Sequence, residues 1–279
     1  MDLFSASETK SLLAKYNAKP SKGLGQNFLI DKNILAKIIE ASNIKKDDVV
    51  LEVGPGVGTL TCALAEKAKQ VIAVEKDQTM IKILSETLAD YKNTEIINAD
   101  ILHYKLQTTN YKLVANIPYY LTSPLIRKFL ESENPPKEMV LMLQKEVAQR
   151  ITGKPPKMSL LAVSVQFYAD AKIISYVSKN CFYPAPKVDS AIIKITPKIV
   201  GHRESYNFSD LFFKIVKAGF SQPRKQLAGN LSKTLKMEKG EVEQWLKKSG
   251  INPSQRAETL SVDNWKKLVD NFVYLEISK

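Results

Sequence analysis

The residues of this sequence best suited to chemistry form one short run, Asn116-Ile117-Pro118-Tyr119, directly after Lys112-Leu113-Val114-Ala115. An amide, a proline turn and an aromatic ring in that order can hold a flat base, the amide at its amino edge and the ring on its face. Upstream, Glu52-Val53-Gly54-Pro55-Gly56-Val57-Gly58 is a glycine-rich turn whose missing side chains let a ligand approach the backbone closely. A dinucleotide fingerprint would need glycine where Thr59 stands, and no Gly-Lys-Ser/Thr of a P-loop follows. A nucleoside cofactor without a pyrophosphate, such as S-adenosylmethionine, suits this turn. Glu75 lies about 20 residues beyond the first glycine, the spacing at which an acid accepts from ribose hydroxyls. Asp100, one strand later, is placed to accept from the adenine amino group of the cofactor. The chemistry these groups would do together is transfer of a methyl group to the amino nitrogen of a nucleobase. Taken singly, Glu75 and Asp100 also fit solvated strand-end acids, and Tyr119 an ordinary core position.

Such groups need elements to present them. The segment 49–53 reads as a short buried strand that ends at the glycine turn, with a helix marked by Leu60, Leu64 and Ala68 after it. The unit recurs: runs at 71–74, 96–97 and 112–115 lead to Glu75, Asp100 and Asn116, with helical patterns between them. Asp31 caps an expected helix whose apolar face is Ile34, Leu35, Ile38 and Ile39. Alternating strands and helices predict an α/β fold on a mostly parallel, doubly wound sheet, with ligands beyond the carboxyl ends of its strands. The segment 139–143 predicts a fifth strand, and 161–169 and 188–195 predict further segments that complete the sheet. Helices over 208–220, 242–248 and 262–272 predict a small helical domain. The expected division is therefore 1–199 for a cofactor-binding catalytic domain and 200–279 for the helical one.

Composition narrows the partners. With 279 residues of which 44% are hydrophobic, the chain can bury one large core and a smaller satellite. A formal net charge of +12 points to a polyanion, although solvated lysines alone would give the same figure. No apolar run approaches the roughly 20 residues a spanning helix needs, which favours nucleic acid over a membrane. Cys62, Cys181, His103 and His202 stand apart without disulfide or metal spacing, so structural or surface roles and no metal are expected. The N-terminus has neither a signal-peptide nor a transit-peptide pattern, and a reducing cytoplasm is expected.

Further runs accompany the first two in a fixed order: Gly25-Gln26-Asn27-Phe28-Leu29 before them, then Leu143-Gln144-Lys145-Glu146-Val147 and Phe182-Tyr183-Pro184-Ala185-Pro186-Lys187-Val188-Asp189-Ser190-Ala191. Gly219-Phe220-Ser221-Gln222-Pro223-Arg224-Lys225 comes last. From about residue 22 to the C-terminus, the chain thereby resembles the adenine dimethyltransferases of small-subunit ribosomal RNA, the bacterial branch most closely. The resemblance implies a Rossmann-like class I methyltransferase that uses S-adenosylmethionine. Its implied product is N6,N6-dimethyladenosine at two adjacent positions near the 3′ end of 16S rRNA, made within an immature small subunit by a monomeric enzyme. It implies cofactor contacts from Gln26, Asn27, Leu29, Gly54, Gly56, Gly58, Glu75, Lys76, Asp100, Ile101 and Asn116. Asn116, Pro118 and Tyr119 would receive the target base, with Phe182 covering its other face. The chain departs from the pattern at Met158-Ser159, where relatives often carry Tyr-Gly.

The amino nitrogen of adenine is a poor nucleophile because its lone pair is delocalised into the ring. Two acceptors, the Asn116 side-chain oxygen and a main-chain carbonyl of the Asn116-Ile117-Pro118 turn, would draw its protons and aim the lone pair at the methyl group. Positioning and electrostatics then suffice, without a general base. Stacking contributes about 1–3 kcal/mol per base, similar to the few kcal/mol needed to flip it. Lys145, Arg150, Lys154 and Lys157 around the 153–156 loop, with Arg224 and Lys225, are the expected RNA contacts. Three other functions share parts of this pattern: a large-subunit adenine methyltransferase of macrolide-resistance type, an assembly checkpoint acting chiefly by binding, and a small-molecule methyltransferase. The Pro186–Ala191 run and Arg224-Lys225 favour the small-subunit enzyme over the first, and the intact Asn116 motif argues against pure binding. Basic charge and twin aromatics disfavour the third.

Overall fold

Asp31 and the strand-end residues fix where each element of the chain starts and stops. A computed structural model describes residues 3–21, 23–198 and 206–277. Helix α1 (Ala6–Lys15) and the two-residue strand β1 (Phe28–Leu29) come first. Asp31 then opens α2 (Lys32–Ser42) by accepting from the Asn33 and Ile34 amides, and Asn43 closes it in the left-handed region. The chain continues through β2 (Val49–Val53), α3 (Thr59–Ala65), β3 (Gln70–Glu75), α4 (Gln78–Thr87) and β4 (Thr94–Asn98). Next come β5 (Tyr111–Asn116), α5 (Thr122–Leu130), β6 (Met139–Gln144), α6 (Lys145–Ile151) and α7 (Leu160–Tyr168). Strands β7 (Ala169–Val177), β8 (Phe182–Tyr183) and β9 (Ser190–Pro197) precede the helices α8 (Tyr206–Gly219), α9 (Leu227–Leu235), α10 (Lys239–Lys248) and α11 (Val262–Ile277).

Among the described residues the large sheet has the order β4-β3-β2-β5-β6-β9-β7. Strands β2 to β6 pair in parallel, and β9 runs antiparallel to β6. This is the α/β, mostly parallel, doubly wound sheet that the sequence pattern predicts. Strand order reverses between β2 and β5, so the natural ligand crevice lies above their carboxyl ends. Both are buried on their two faces, as parallel strands between helical layers must be. One layer is α2 and α3, whose Ile34, Leu35, Ile38, Leu60 and Leu64 pack with Val50, Val71, Val114 and Val140 of the sheet.

One expected strand is a helix. The segment 161–169 falls in α7, whose cap Ser159 accepts from the Ala162 amide. Its apolar run is continuous, so hydrophobicity alone does not separate a buried strand from a buried helix. Ala162, Val163 and Phe167 enter a core with Phe212, Ile215, Trp245 and Trp265. The sheet is completed instead by β7, whose burial alternates along the strand as an edge strand's should. Contacts accordingly divide the chain into one unit of Met1–Ala148 with Asp170–Pro197 and another of Gln149–Ala169 with Lys198–Lys279. Residues 149–169, expected in the catalytic domain, therefore belong to the helical unit. Met158 and Ser159 serve there as a core residue and a helix cap.

Within the helical unit, α9 is the helix-like segment expected to open at Arg224-Lys225, and it starts at Leu227. It fixes the turn that precedes it, since the Asn230 amide donates to the carbonyls of Gly219 (2.7 Å) and Gln222 (3.0 Å). A Cβ at Gly219 would stand 2.4 Å from the Trp265 ring. That turn carries Arg224 and Lys225. No helix among the described residues is long and apolar enough to cross a membrane.

The amino ends of the parallel strands are closed by buried charges. Lys112 Nζ lies 3.0 Å from Asp48 and 3.4 Å from Glu138 and donates to the carbonyls of Ser42 (3.1 Å) and Asn43 (2.6 Å). Lys194 Nζ completes the group, 2.6 Å from Glu138 and 3.0 Å from the Ala41 carbonyl. Removing one partner of such a group leaves uncompensated buried charge. Lys112→Met is expected to lower stability by about 3–5 kcal/mol in urea unfolding at neutral pH. Burial pushes the Asp48 carboxyl up, but the Lys45 amide and the Lys112 ammonium outweigh it, and the net shift is downward. A depressed carboxylate contributes stability that is present above its unfolded value, about 3.9, and is lost as pH falls through the folded one. Unfolding between pH 5 and 2 will show this acid-side loss in the wild type and a flatter limb in Lys112→Met.

Candidate active site

Beyond the carboxyl ends of β2, β3 and β5 lies an open cleft of about 980 Å³. Its floor is the glycine turn after β2, where the Gly54 amide donates to the Val74 carbonyl at 3.0 Å and ties the turn to β3. Gly56 has φ +59°, and a Cβ there would lie 3.0 Å from the Phe28 ring of β1. Glycine is required on both counts: a side chain would strain the turn and push β1 away. Cβ atoms built at Gly25 and Gly54 would meet Pro118 at 3.3 and 3.5 Å. The loop before β1, the glycine turn and the turn after β5 thus meet around one proline ring.

Pro118 also ends the strand. The Ile117 amide donates to Met142 at 3.2 Å as the last rung toward β6, and Pro118 has no N–H to continue. Asn116 Nδ2 donates to the Asn27 carbonyl at 3.1 Å, which settles the orientation of its amide. Asn116 and Ile117 both line the cleft, and no hydrogen bond to Asn116 Oδ1 or to the Ile117 carbonyl is made among the described residues. Tyr119 is half-buried, and its hydroxyl is joined to Ser190 Oγ of β9 at 2.9 Å. Burial raises its pKa, with Ser190 opposing, so it is a neutral ring whose position is pinned at the hydroxyl.

Three acids line the cleft. Glu75 is buried at the end of β3; its Oε1 accepts from the amides of Lys76 and Asp77, both at 2.8 Å, and Oε2 faces the Gly56 amide at 3.4 Å. Burial pushes its pKa up, and those three amides oppose the shift. Oε2, with one long contact, retains capacity for further donors. Asp100 Oδ1 accepts from the Leu102 amide at 3.0 Å, and Oδ2 pairs with Lys76 Nζ at 2.9 Å, which holds its carboxyl below the usual range. Lys76 therefore reaches the site as the partner of Asp100. The third acid, Glu52, stands in the glycine-turn motif, where the sequence reading gave it no role. It is 1% exposed, and neither its Oε2 nor the buried hydroxyl of Thr59, which also lines the cleft, has a hydrogen-bond partner among the described residues. Burial pushes Glu52 up to about 8, with Glu75 adding to the rise and Thr61 opposing it. A charged residue inside the apolar run Val49-Val50-Leu51-Glu52-Val53 was the available signal.

Asn27, Leu29, Ile101 and the other glycine-turn residues border the cleft as expected, apart from Gly58, which caps α3 behind it. Two residues differ from the expectation. Gln26 borders the cleft, but its amide is committed: Oε1 accepts from the Ser21 amide and Nε2 donates to Asp77, both at 2.8 Å. It clamps the loop to the start of α4. Phe182 is 4% exposed and is absent from the cleft lining. The antiparallel bridge of β1 with β8 sets Phe182 opposite Leu29, and the two share the core under α2. A two-residue bridge fixes which neighbour faces the core, and that register is a tertiary fact. Phe182 is therefore a core residue here, and of the two expected aromatics only Tyr119 lines the cleft.

The expected RNA contacts fall in both units. Lys145 starts α6 in the first, with its Nζ 5.3 Å from the centre of the Tyr176 ring. Arg150, Lys154, Lys157, Arg224 and Lys225 are exposed in the helical unit, at the end of α6, on the loop after it and on the turn before α9. His103 is exposed, Cys62 and Cys181 are half-buried free thiols, and His202 lies outside the described residues. No cluster of three His, Cys, Asp or Glu able to hold a metal occurs among the described residues.

Comparisons with known proteins agree with this geometry. The model of the family described as ribosomal RNA adenine dimethylase matches residues 17–273. The chain is 43% identical to ribosomal RNA small subunit methyltransferase A of Alkaliphilus oremlandii, over 96% of both chains. It is 41% identical to the protein of the same name from Clostridioides difficile, over 99% of this chain and 98% of the relative. Among solved structures, a dimethyladenosine transferase from Plasmodium falciparum superposes with a TM-score of 0.76 at 28% identity, covering 88% of this chain and 97% of the other. The 23S rRNA methyltransferase ErmE superposes with a TM-score of 0.73 at 29% identity, covering 88% and 99%.

The buried acid has a measurable signature. An acid whose folded pKa is raised contributes stability that is full below its unfolded value, about 4.3, and is lost as pH rises through the folded one. For Glu52 that loss spans the interval from there to about pH 8. Glu52→Gln is expected to melt higher than the wild type near pH 8 and to converge with it near pH 4, as read by thermal unfolding across that range.

Proposed function

The chain belongs to the ribosomal RNA adenine dimethylase family, and on that premise we propose the donor, the target and the roles of its residues. It is an rRNA adenine dimethyltransferase. We propose that it takes methyl groups from S-adenosylmethionine and places two on the N6 atom of each of two adjacent adenosines in the 3′-terminal hairpin of 16S rRNA. The substrate is an immature small subunit, and the enzyme acts as a monomer in the cytoplasm.

The observation that carries this reading is the pair of open acceptors on the Asn116-Ile117-Pro118 turn. Because Asn116 Nδ2 is held by the Asn27 carbonyl, Oδ1 and the Ile117 carbonyl are the groups offered to a ligand. Two acceptors match the two protons of an exocyclic amine, and a ring amide or hydroxyl would satisfy only one. With both protons drawn into these bonds, the nitrogen lone pair leaves conjugation and faces the donor. The bound cofactor supplies an electrophilic methyl group on a sulfonium. Asn116 and Ile117 would hold N6 toward the methyl group that the bound cofactor would supply, and the surplus N6 proton would leave to water. Tyr119, tethered through Ser190, stacks on the base and fixes its plane.

The cleft fits the cofactor on its own chemistry. Glu75 Oε2 has room for ribose hydroxyls beside its single long contact. Asp100 accepts from the adenine amine, sharing the oxygen that now pairs with Lys76. Glu52 Oε2 and the Thr59 hydroxyl, both buried without partners at the glycine turn, are the acceptors that an ammonium group would satisfy. Gln26 acts through the loop it clamps, and Gly54 and Gly56 leave the space.

The large-subunit alternative shares the fold, as the likeness to the 23S enzyme indicates. Identity of 43% over nearly the whole chain lies with the small-subunit enzymes, and these set the proposal. The test is mass spectrometry of rRNA after incubation with labelled S-adenosylmethionine, using undermethylated small subunits and, separately, large-subunit RNA. Two dimethyladenosines in the small-subunit 3′ hairpin are expected; label in the large-subunit RNA alone would reject the target. Asn116→Ala is expected to lower kcat by about 10²–10³, the scale for loss of one preorganised polar contact at the reacting centre. Glu75→Ala should weaken cofactor binding by about 10- to 100-fold in calorimetry, since charged hydrogen bonds are lost.

A further inference from the structure

We propose that Tyr176, braced by Lys145, is a second stacking platform that takes the base next to the flipped adenosine. This rests on the RNA reading above and adds a contact to it. Tyr176 lies near the end of the edge strand β7 and is 52% exposed. Lys145 Nζ sits 5.3 Å from its ring centre, a cation–π contact that orients the ring.

Backbone ties bring the end of β7 close to the strand that anchors Tyr119. The Lys145 amide donates to the Asp189 carbonyl at 3.0 Å, and the Lys179 amide donates to Asp189 Oδ1 at 3.1 Å. The end of β7, the start of β9 and the start of α6 are therefore tied at one residue. Ser190, the next residue, pairs with Gln144 and holds the Tyr119 hydroxyl at 2.9 Å. Strand β9 lies between β6 and β7, so Tyr176 stands one strand spacing, about 4.8 Å, beyond the strand that anchors Tyr119.

The chemistry of flipping calls for such a surface. An extruded base leaves its neighbour with one face unstacked. An aromatic ring compensates for any base there, because every base has a π-face. The cation beside it is placed to neutralise the adjoining phosphate. Val188, 40% exposed and one residue before Asp189, extends the apolar surface at the same end. With a chain charge of +12, the occupant that fits an aromatic flanked by lysine is a nucleotide.

The test uses small-subunit 3′-hairpin RNA in immature subunits, with 2-aminopurine placed either at a target position or at the position flanking the target pair. Tyr176→Ala is expected to raise KM for the RNA by about 5- to 50-fold while changing kcat by less than about twofold. It should also lose the fluorescence quench at the flanking position and keep the signal at the target position. Tyr176→Trp is expected to preserve both KM and the flanking quench. Wild-type KM and quench in Tyr176→Ala would overturn the platform, as would a Tyr176→Trp variant that behaves like the alanine one. A fall in melting temperature or cofactor affinity that accounts for the KM change would assign Tyr176 to the fold and overturn it too. No methylation of the same RNA with adenosine at every position by the wild type would overturn the target reading and the platform together; normal methylation with no Tyr176 effect would remove the platform alone.

Discussion

One donor bond organises the site: the Asn116 amide must give its N–H to the Asn27 carbonyl. Without that partner the amide would be free to turn, and neither end would be committed to a ligand. The bond in turn requires the loop at 25–27 to lie where it does. Three contacts place it: Gly25 packs on Pro118 with no room for a side chain, Gln26 bridges Ser21 and Asp77, and β1 pairs with β8. The N-terminal loop is therefore part of the catalytic geometry although it contributes few groups that face the ligand. Pro118 serves the same end from the other side. By lacking an N–H it stops the ladder and leaves the Ile117 carbonyl facing the cleft.

Much of this was legible in the sequence because the signals are local. Buried strands read as apolar runs, Asp31 carries cap chemistry, and the glycines at 54 and 56 mark a turn whose positive φ favours glycine. The strand-end positions of Glu75, Asp100 and Asn116 followed from the alternation alone. What was not legible depends on register and on partners distant in the chain. Phe182 and Tyr183 are adjacent and both aromatic; the pairing with β1 decides that Phe182 faces the core. Gln26 reads as a polar cleft residue until its two ends are found on Ser21 and Asp77. The 161–169 run was ambiguous in principle, because a helix buried on all sides and a strand buried on both faces have the same apolar content.

The two ends of the parallel sheet handle buried charge in opposite ways. At the amino ends, Lys112 and Lys194 are surrounded by carboxylates and helix-end carbonyls. At the carboxyl ends, Glu52 Oε2 and the Thr59 hydroxyl lack partners among the described residues, which costs stability unless something else binds there. The first arrangement is closed and serves the fold. The second is open, and its cost is offset only by a ligand that brings donors, so the free energy stored there becomes available on binding.

Charge is sorted at a larger scale by the same logic. The chain is strongly basic, yet the cleft is lined by Glu52, Glu75 and Asp100. The one cation among the described cleft residues, Lys76, is paired with Asp100, whereas Lys154, Lys157, Arg224 and Lys225 stand on exposed loops and turns. On the proposed reading, the backbone of an RNA is thereby drawn to the surface, and what enters the cleft is the uncharged base. Acceptors suit this arrangement better than a general base would. Asn116 Oδ1 and the Ile117 carbonyl cannot be neutralised by protonation near neutral pH, so the site keeps its two acceptors across the range in which Glu52 itself titrates. Selection of an exocyclic amine and tolerance of pH follow from the same two oxygens.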